Sequence, residues 1–316
     1  MGHPYDQQKA YRSGGVVMDK KTSRVRVITF GQILIATVMT LFTLTILIPV
    51  LHIVARSFSD PSVSAAMSGL RIIPDRFNTV NYQIVLSNPV IIPAFFNSVF
   101  ITVVGTLLNM LLTMMGAYAL TRPGFVGKKS VMPFLIVMML FDPGLVPEYL
   151  VIKDLGLMGS RWSVILILAT NVYYLVILMR YFNEVPHSLT EAAMIDGAGH
   201  MRTLFSVVAP LSKAGIATIT MFYAVVRWNE YVRSGLFITS IKKTTLQVIL
   251  RKFVVNGDTA AIIGFQNVLN YNELARVDYT ALQYATIVIA VVPILLIYPL
   301  VLKYYQKGVI TGGVKE

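Results

Sequence analysis

The 316-residue sequence contains no cysteine and few charged residues. Without cysteine the chain has no disulfide, no catalytic thiol and no thiolate metal site. Only 13% of the residues are Asp, Glu, Lys or Arg, where soluble domains have about 25%, and 55% are hydrophobic. This composition predicts an all-α protein that crosses a membrane several times.

Catalytic and nucleotide-binding motifs are also missing. The sequence has no Gly-x-x-x-x-Gly-Lys-Ser/Thr phosphate loop, since residues 124–130 have the wrong spacing, and no His-Glu-x-x-His or Gly-x-Ser-x-Gly. The four histidines are scattered. We therefore predict no enzymatic activity, no metal site and no cofactor in this chain. The net charge of +12 would suggest nucleic acid for a soluble protein, but here it indicates basic loops at anionic lipid and no nucleic acid partner.

Six apolar stretches approach the length of about twenty residues that a membrane-spanning helix needs. The first is too long for a signal-peptide core and is followed by no cleavage pattern, so we expect it to remain as an anchor. The predicted organisation is an N-terminal tail (1–27), a membrane domain (28–302) that contains a polar coupling loop (182–211), and a C-terminal tail (303–316). The predicted spans are 28–54, 94–120, 131–152, 162–181, 212–232 and 279–302.

The distribution of basic residues predicts the orientation. Basic residues are concentrated in the N-terminal tail, near Arg122, in the coupling loop and in the C-terminal tail. Because cytoplasmic loops carry the excess of Lys and Arg, both termini and the coupling loop are predicted to be cytoplasmic. The segment 233–276 fits poorly, since it places Lys242, Lys243, Arg251 and Lys252 on the predicted outer side.

The third predicted span is irregular. Asp142, Pro143, Gly144 and Pro147 interrupt it after about half a bilayer of helix. Asp142 therefore either lines a cavity at membrane depth or caps the outer end of a short span.

The coupling loop has the most informative pattern. Its first part is rich in alanine and ends at Gly197, where a left-handed turn would end a helix. A second helix follows, with Met201, Leu204, Phe205 and Val208 spaced as one apolar stripe before a break at Pro210. We predict two short helices that form an elbow outside the bilayer; the alternative is an ordinary amphipathic pair lying on the membrane surface. The residues of interest are Glu191, Ala192, Ala193, Met194, Ile195, Asp196, Gly197, Ala198, Phe205, Val207 and Pro210.

This pattern resembles the Glu-Ala-Ala loop of permease subunits of ABC importers, and the similarity to maltose-type carbohydrate permeases extends over residues 28–314. The segments that show this similarity include 222–225 with Trp228 and Asn229, 284–288, and 298–309. Ala214, where a second proline is common, and the Asp142-Pro143 pair depart from that pattern.

The resemblance implies a type I ABC importer permease fold with six spans in the bacterial inner membrane. It also implies that the chain forms half of a pore for oligosaccharides, with a second permease subunit, an ATPase dimer that binds ATP and Mg²⁺, and an external solute-binding protein. Coupling to the ATPase would be carried by Glu191, Ala192, Ala193, Asp196, Gly197, Ala198, Phe205 and Pro210.

Substrate contacts are predicted near the outer end of the fifth span. Arg227, Trp228 and Asn229 could stack on and hydrogen-bond a sugar, or they could form an interfacial anchor. Asn171, Tyr173 and Tyr174 are further candidates for the substrate path, as is Asp142.

The residues 227–252 contain six Lys or Arg against one acid, a charge that favours an anionic glycan or else a rim that contacts the binding protein or lipid. The alternative function is a self-sufficient secondary transporter of small polar solutes, which should show intramembrane acids or a repeat of discontinuous helices. Only Asp142 offers such an acid, and no second half matches the first.

Overall fold

The structure, a computed structural model, describes residues 30–258 and 278–312, with side chains up to residue 299. The predicted tail 1–27 and residues 313–316 lie outside this range. The chain divides into two compact units, Met1–Leu47 and Ile48–Glu316. The described part of the first unit is helical, and the packed core lies within the second.

The described residues are helical throughout apart from short connections. Helix α1 (Phe30–Ser57) is followed by two short helices, α2 (Pro61–Ser64) and α3 (Val80–Ser87), and then by α4 (Ile91–Thr121). The later elements are α5 (Lys128–Leu140), α6 (Leu145–Asp154), α7 (Arg161–Ile167), α8 (Val172–Asn183), α9 (His187–Ile195), α10 (His200–Leu211), α11 (Lys213–Trp228), α12 (Val232–Phe237), α13 (Leu246–Leu250) continued by the turn Arg251–Val255, and α14 (Tyr279–Gly312).

Three of these helices are long and apolar enough to cross a membrane alone: α1, α4 and the segment Tyr279–Pro299 of α14. Three further pairs reach that length only together, and each pair is bent: α5 with α6 by 112°, α7 with α8 by 55°, and α10 with α11 by 91°. The described residues therefore contain three candidate spans, or up to six if each bent pair is one span.

Two of the predicted spans need correction, and a third is confirmed as irregular. The break in the third stretch is confirmed, because α5 ends at Leu140 and α6 begins at Leu145. The fourth stretch was predicted as one helix, which is wrong: α7 ends at Ile167, and the Asn171 side chain accepts a hydrogen bond from the Tyr174 amide at 3.1 Å and so starts a new helix. The fifth is shorter than predicted, because α11 ends at Trp228 rather than at residue 232.

Three buried clusters hold the second unit together. The largest joins α4, α8, α10 and α11 through residues that include Met114, Leu178, Phe182, Leu204 and Ile219. The other two are formed by α3, α4, α13 and α14 with Trp228, and by α4, α6, α7 and α12. Helix α4 takes part in all three, so it is the central element of the fold.

Candidate functional site: the elbow and the buried Arg227

Helix α9 ends in the left-handed turn that the sequence predicts. Gly197 has φ of +81°, the amide of Ala198 donates to the Ala193 carbonyl at 2.9 Å, and the amide of Gly197 donates to the Met194 carbonyl at 3.0 Å. These two hydrogen bonds form a Schellman motif, which satisfies carbonyls that the helix end would leave free. The prediction that Gly197 ends this helix is confirmed.

Helix α10 differs from the predicted stripe. Leu204 and Val208 are fully buried, whereas Met201 and Phe205 are about half exposed. The helix also continues past Pro210 to Leu211, so the predicted break is present but lies at Ser212, where α10 and α11 meet at 91°. A π-helical turn over Leu204–Val208 explains both findings, since it widens the helix just before a proline that cannot donate a backbone hydrogen bond.

The two sides of the elbow have different surroundings. Glu191, Ala192, Asp196 and Pro210 are exposed, and Ile195 at the tip is 86% exposed. Ala193 and Ala198 are half-buried. The tip therefore leaves two carboxylates and a large aliphatic side chain with an accessible surface.

Leu204 and Val208 attach the elbow to the helix bundle. They belong to the same buried cluster as Met114 of α4, Leu178 of α8 and Ile219 of α11. A rigid displacement of α10 would therefore move residues that three long helices share, because close-packed interiors transmit strain.

A tight helix crossing lies beside the elbow. A Cβ atom at Gly215 of α11 would stand 2.4 Å from Cγ of Tyr181 in α8, so only glycine fits there. The Ser212 hydroxyl also donates to the Tyr181 carbonyl at 3.3 Å. Sequence reasoning missed this crossing, and the glycine within a helical stretch was its only signal.

Arg227 is buried in the interior of the second unit. Its guanidinium donates to the carbonyls of Val164 and Ile165 at 2.7 and 2.8 Å, to the Leu168 carbonyl at 2.8 Å, and to Oδ1 of Asn109 at 2.7 Å. Val164 and Ile165 lie in the last turn of α7 and Leu168 follows it, so Arg227 caps the broken fourth span. Its surroundings are those of a structural group, and its predicted contact with substrate stays a prediction.

Helix α4 makes room for this cation. A Cβ atom at Gly105 would lie 2.9 Å from Nε of Arg227. The Nε atom itself is buried and forms no hydrogen bond. A glycine at this position therefore allows the guanidinium to approach the backbone of α4 closely.

The neighbouring candidates are divided between interior and surface. Trp228 is buried and its indole donates to the Ala290 carbonyl of α14 at 3.0 Å, whereas the exposed Asn229 donates to the Val225 carbonyl of its own helix at 2.9 Å. Of the three, Asn229 alone has a side chain accessible to solute within the described residues.

Tyr174 lies in an aromatic group at the start of α8. Its ring centroid is 4.8 Å from that of Tyr223, 5.6 Å from that of Phe222 and 5.9 Å from that of Tyr173. Tyr223 is buried and Tyr173 is half exposed, so the group extends from the interior to an accessible ring. Aromatic faces of this kind can stack on sugar rings, which keeps Tyr173 as a candidate.

Asp142 lies on the surface at the 112° bend. Its Oδ1 accepts a hydrogen bond from the Gly144 amide at 2.9 Å, and its side chain is exposed. In the described residues it forms no ion pair. This local bond fits the capping alternative, and its place on the substrate path stays a prediction.

Two ionic groups escaped the sequence analysis. Arg233 of α12 binds both carboxylate oxygens of Glu148 in α6, at 2.7 and 2.8 Å, and these hydrogen bonds raise the pKa of its guanidinium. Arg56 pairs with Asp278 at 2.9 Å, and the Ser64 hydroxyl donates to the same carboxylate at 2.7 Å. The partners are 85 and 222 residues apart, so no local spacing could have found them.

Residues 111–311 match the family of binding-protein-dependent transport system inner membrane components, and the chain belongs to that family.

Individual relatives agree with this class. The chain is 35% identical over 276 residues to the polygalacturonan/rhamnogalacturonan transport system permease protein YtcP of Bacillus subtilis (strain 168), covering 87% of this chain and 94% of the relative. It is 36% identical over 271 residues to Protein LplC of the same organism, covering 85% and 89%. A chain of a bacterial ABC transporter involved in the import of the acidic polysaccharide alginate has a similar structure, with a TM-score of 0.79 at 28% identity, covering 89% of this chain and 98% of that chain.

Proposed function

We propose that this chain is one of two membrane subunits of an oligosaccharide importer, that it forms half of the translocation path, and that an ATPase dimer docks on the elbow formed by α9 and α10. The ATPase binds ATP and Mg²⁺, and an external binding protein delivers the substrate. The chain crosses the bacterial inner membrane six times with both termini in the cytoplasm.

The elbow is the observation that carries this proposal. Its tip exposes Glu191, Ile195 and Asp196, while Leu204 and Val208 are buried among α4, α8 and α11. An ATPase bound to the tip would therefore move α10, and with it Leu204 and Val208 in the core of the helix bundle. Family membership supports this partner class, because components of binding-protein-dependent systems work as part of an assembly.

The helices and the charges support this topology. We count α1, α4, α14, the bent pairs α5–α6 and α7–α8, and α11 as six spans, with α10 outside the bilayer as part of the elbow. An even number of spans returns both termini to one side, and the basic residues favour the cytoplasm for that side. The elbow then lies in the cytoplasm, where an ATPase can reach it.

The substrate proposal rests on relatives and on charge. One relative is named for polygalacturonan and rhamnogalacturonan, and the similar structure comes from an importer of the acidic polysaccharide alginate. The segment 227–252 of this chain has six basic residues and one acid. We propose that the substrate is an oligosaccharide that carries carboxylates.

The coupling proposal is tested with Gly197→Val and the matched control Gly199→Val. Valine strongly disfavours the φ of +81° at Gly197, whereas Gly199 has a φ of −69° that valine accepts, and neither added Cβ meets an atom within 4 Å. ATP-driven uptake and ATPase activity are measured on the full assembly in proteoliposomes. Gly197→Val should lose most uptake, and Gly199→Val should retain it. Glu191→Lys, which reverses the charge at the tip, should weaken association with the ATPase.

Two outcomes would contradict the proposal. Parental uptake by an assembled Gly197→Val and Glu191→Lys protein would show that the elbow does not couple. Uptake driven by an ion gradient, with the chain purified alone and no ATPase added, would instead support a secondary transporter.

A further inference from the structure

Two adjoining cavities lie in the second unit, beyond the end of α11. Helix α11 begins next to the elbow and ends at Trp228, so its 16 residues separate the two regions by about 24 Å. The cavities have volumes of about 370 and 360 Å³ and share Gly235, Val248 and Lys252 in their walls. We call this pair of cavities the Tyr231 crevice, after the aromatic residue at one end.

The structure separates five of the six basic residues of the segment 227–252 into two groups. Arg227 and Arg233 are engaged with carbonyls and carboxylates, and Lys243 donates to the Gly159 carbonyl at 3.1 Å. Arg251 and Lys252, by contrast, are exposed, line the crevice, and form no ion pair with any carboxylate of the described residues. The positive charge that the sequence spreads over the segment is thus available at the crevice.

Arg251 is held in place by a neutral side chain, Tyr231. Its guanidinium carbon lies 4.6 Å from the centroid of the Tyr231 ring, and Nη1 donates to the Tyr231 hydroxyl at 3.0 Å. Both contacts are to a neutral group, so the cation keeps donors for an anion. An ordered guanidinium suits a carboxylate, which accepts paired hydrogen bonds from such a fork.

The remaining walls supply groups that suit the rest of a sugar. Asn256 offers an amide beside Arg251 and Lys252, and Thr239 and Ser240 offer hydroxyls in the adjoining cavity. Asp258 contributes a carboxylate to that cavity, the one acid among the described residues of the two walls. Val248 provides an apolar surface common to both. Each cavity has the volume of an ordinary small-ligand site.

We propose that the Tyr231 crevice binds a uronate unit of the incoming oligosaccharide, with Arg251 and Lys252 on its carboxylate and Asn256 on its hydroxyls. This inference rests on the proposed function, because it takes the crevice to face the side from which substrate arrives. Through the Tyr231 crevice, this chain contributes to the discrimination between acidic and neutral sugars. A neutral sugar would gain no charge-assisted hydrogen bond from the two cations.

The test compares Arg251→Gln/Lys252→Gln with Lys128→Gln/Lys129→Gln, which removes the same charge from exposed positions at the start of α5. Uptake of trigalacturonate and of maltotriose is measured with the complete transporter in proteoliposomes. Binding of trigalacturonate to the complete transporter in nanodiscs is measured without binding protein or ATP. We expect the crevice variant to weaken trigalacturonate binding and to raise the KM of its uptake about tenfold, as befits the loss of charge-assisted hydrogen bonds. Maltotriose uptake and the control variant should be unchanged.

The outcomes separate the crevice from the transport proposal. Unchanged trigalacturonate binding in the crevice variant overturns the inference, even if uptake proceeds. Equal loss of acidic and neutral uptake, with weaker docking of the unliganded binding protein, also overturns it and identifies the crevice as a protein contact. If trigalacturonate binds through the crevice but ATP never drives its uptake, the inference stands and the proposed function fails.

Discussion

The elbow and the Arg227 region use polar residues in opposite ways. At the elbow the backbone satisfies its own helix end through Gly197, and the side chains of Glu191 and Asp196 are exposed. At the end of α7 the Arg227 guanidinium, from a distant helix, donates to three carbonyls and also to Asn109 of α4. A polar residue near a membrane span therefore points to a partner surface only when the fold does not already use it.

The largest expected effect is on Arg227. Arg227→Leu removes the donors for three carbonyls and for Asn109, and buried groups left unsatisfied are costly. We expect a loss of about 3 to 5 kcal/mol in the free energy of unfolding. Reversible unfolding in mixed micelles measures this loss.

Arg71→Leu is the matched control for the buried arginine. Its ion pair with Asp75 is largely exposed, so its removal should cost less than about 1 kcal/mol. If the two variants lose the same free energy of unfolding, the buried hydrogen bonds of Arg227 are worth no more than an exposed ion pair. The contrast between the elbow and the Arg227 region would then not hold.

The next effect concerns the crossing of α8 and α11. Gly215→Ala places a Cβ atom 2.4 Å from the Tyr181 ring and 2.9 Å from its Cβ, so the helices must separate. Overpacking of this kind costs about 1 to 3 kcal/mol. Gly69→Ala, where no atom lies within 4 Å, is the control for the change of residue type. Parental melting of the Gly215→Ala assembly would show that the crossing is looser than described.

These two regions also show what sequence reasoning can reach. The elbow was predictable because a Schellman turn depends on residues within one helical turn, and Gly197 marks it directly. The hydrogen bonds of Arg227 join residues 59 to 118 positions apart, so no local pattern reveals them.

Some of the missed features did have a local signal. Asn171 is a recognisable N-cap before Val172, which the prediction of one continuous fourth span overlooked. Pro210 marks the π-helical turn that divides the predicted apolar stripe of α10. The ion pair of Arg233 with Glu148 had none, since charged residues in two helices far apart in the sequence share no local spacing.

Adjacent residues at the end of α11 give a second contrast between a buried and an exposed side chain. Trp228→Leu loses a buried indole and its hydrogen bond to the Ala290 carbonyl, which should cost about 2 to 4 kcal/mol whatever the sugar. Asn229→Ala, whose side chain is exposed, should leave stability within about 0.5 kcal/mol. Uptake by Asn229→Ala then decides its role: an altered ratio of acidic to neutral sugar uptake supports a place on the substrate path, and an unaltered ratio removes it from that path.

The smallest effect on stability is expected at the elbow tip. Glu191→Gln and Asp196→Asn each remove one exposed charge that forms no ion pair in the described residues. Each should therefore change the free energy of unfolding of the isolated chain by less than about 0.5 kcal/mol.

If the tip docks on an ATPase, the same variants should weaken that association and make it less sensitive to salt, because exposed charges at an interface are screened by ions. Unfolding of the chain alone and sedimentation of the complex at low and high salt separate the two quantities. A variant that destabilises the chain while binding the ATPase normally would assign the carboxylate to the fold, as with Arg227, and would remove the difference between the two regions.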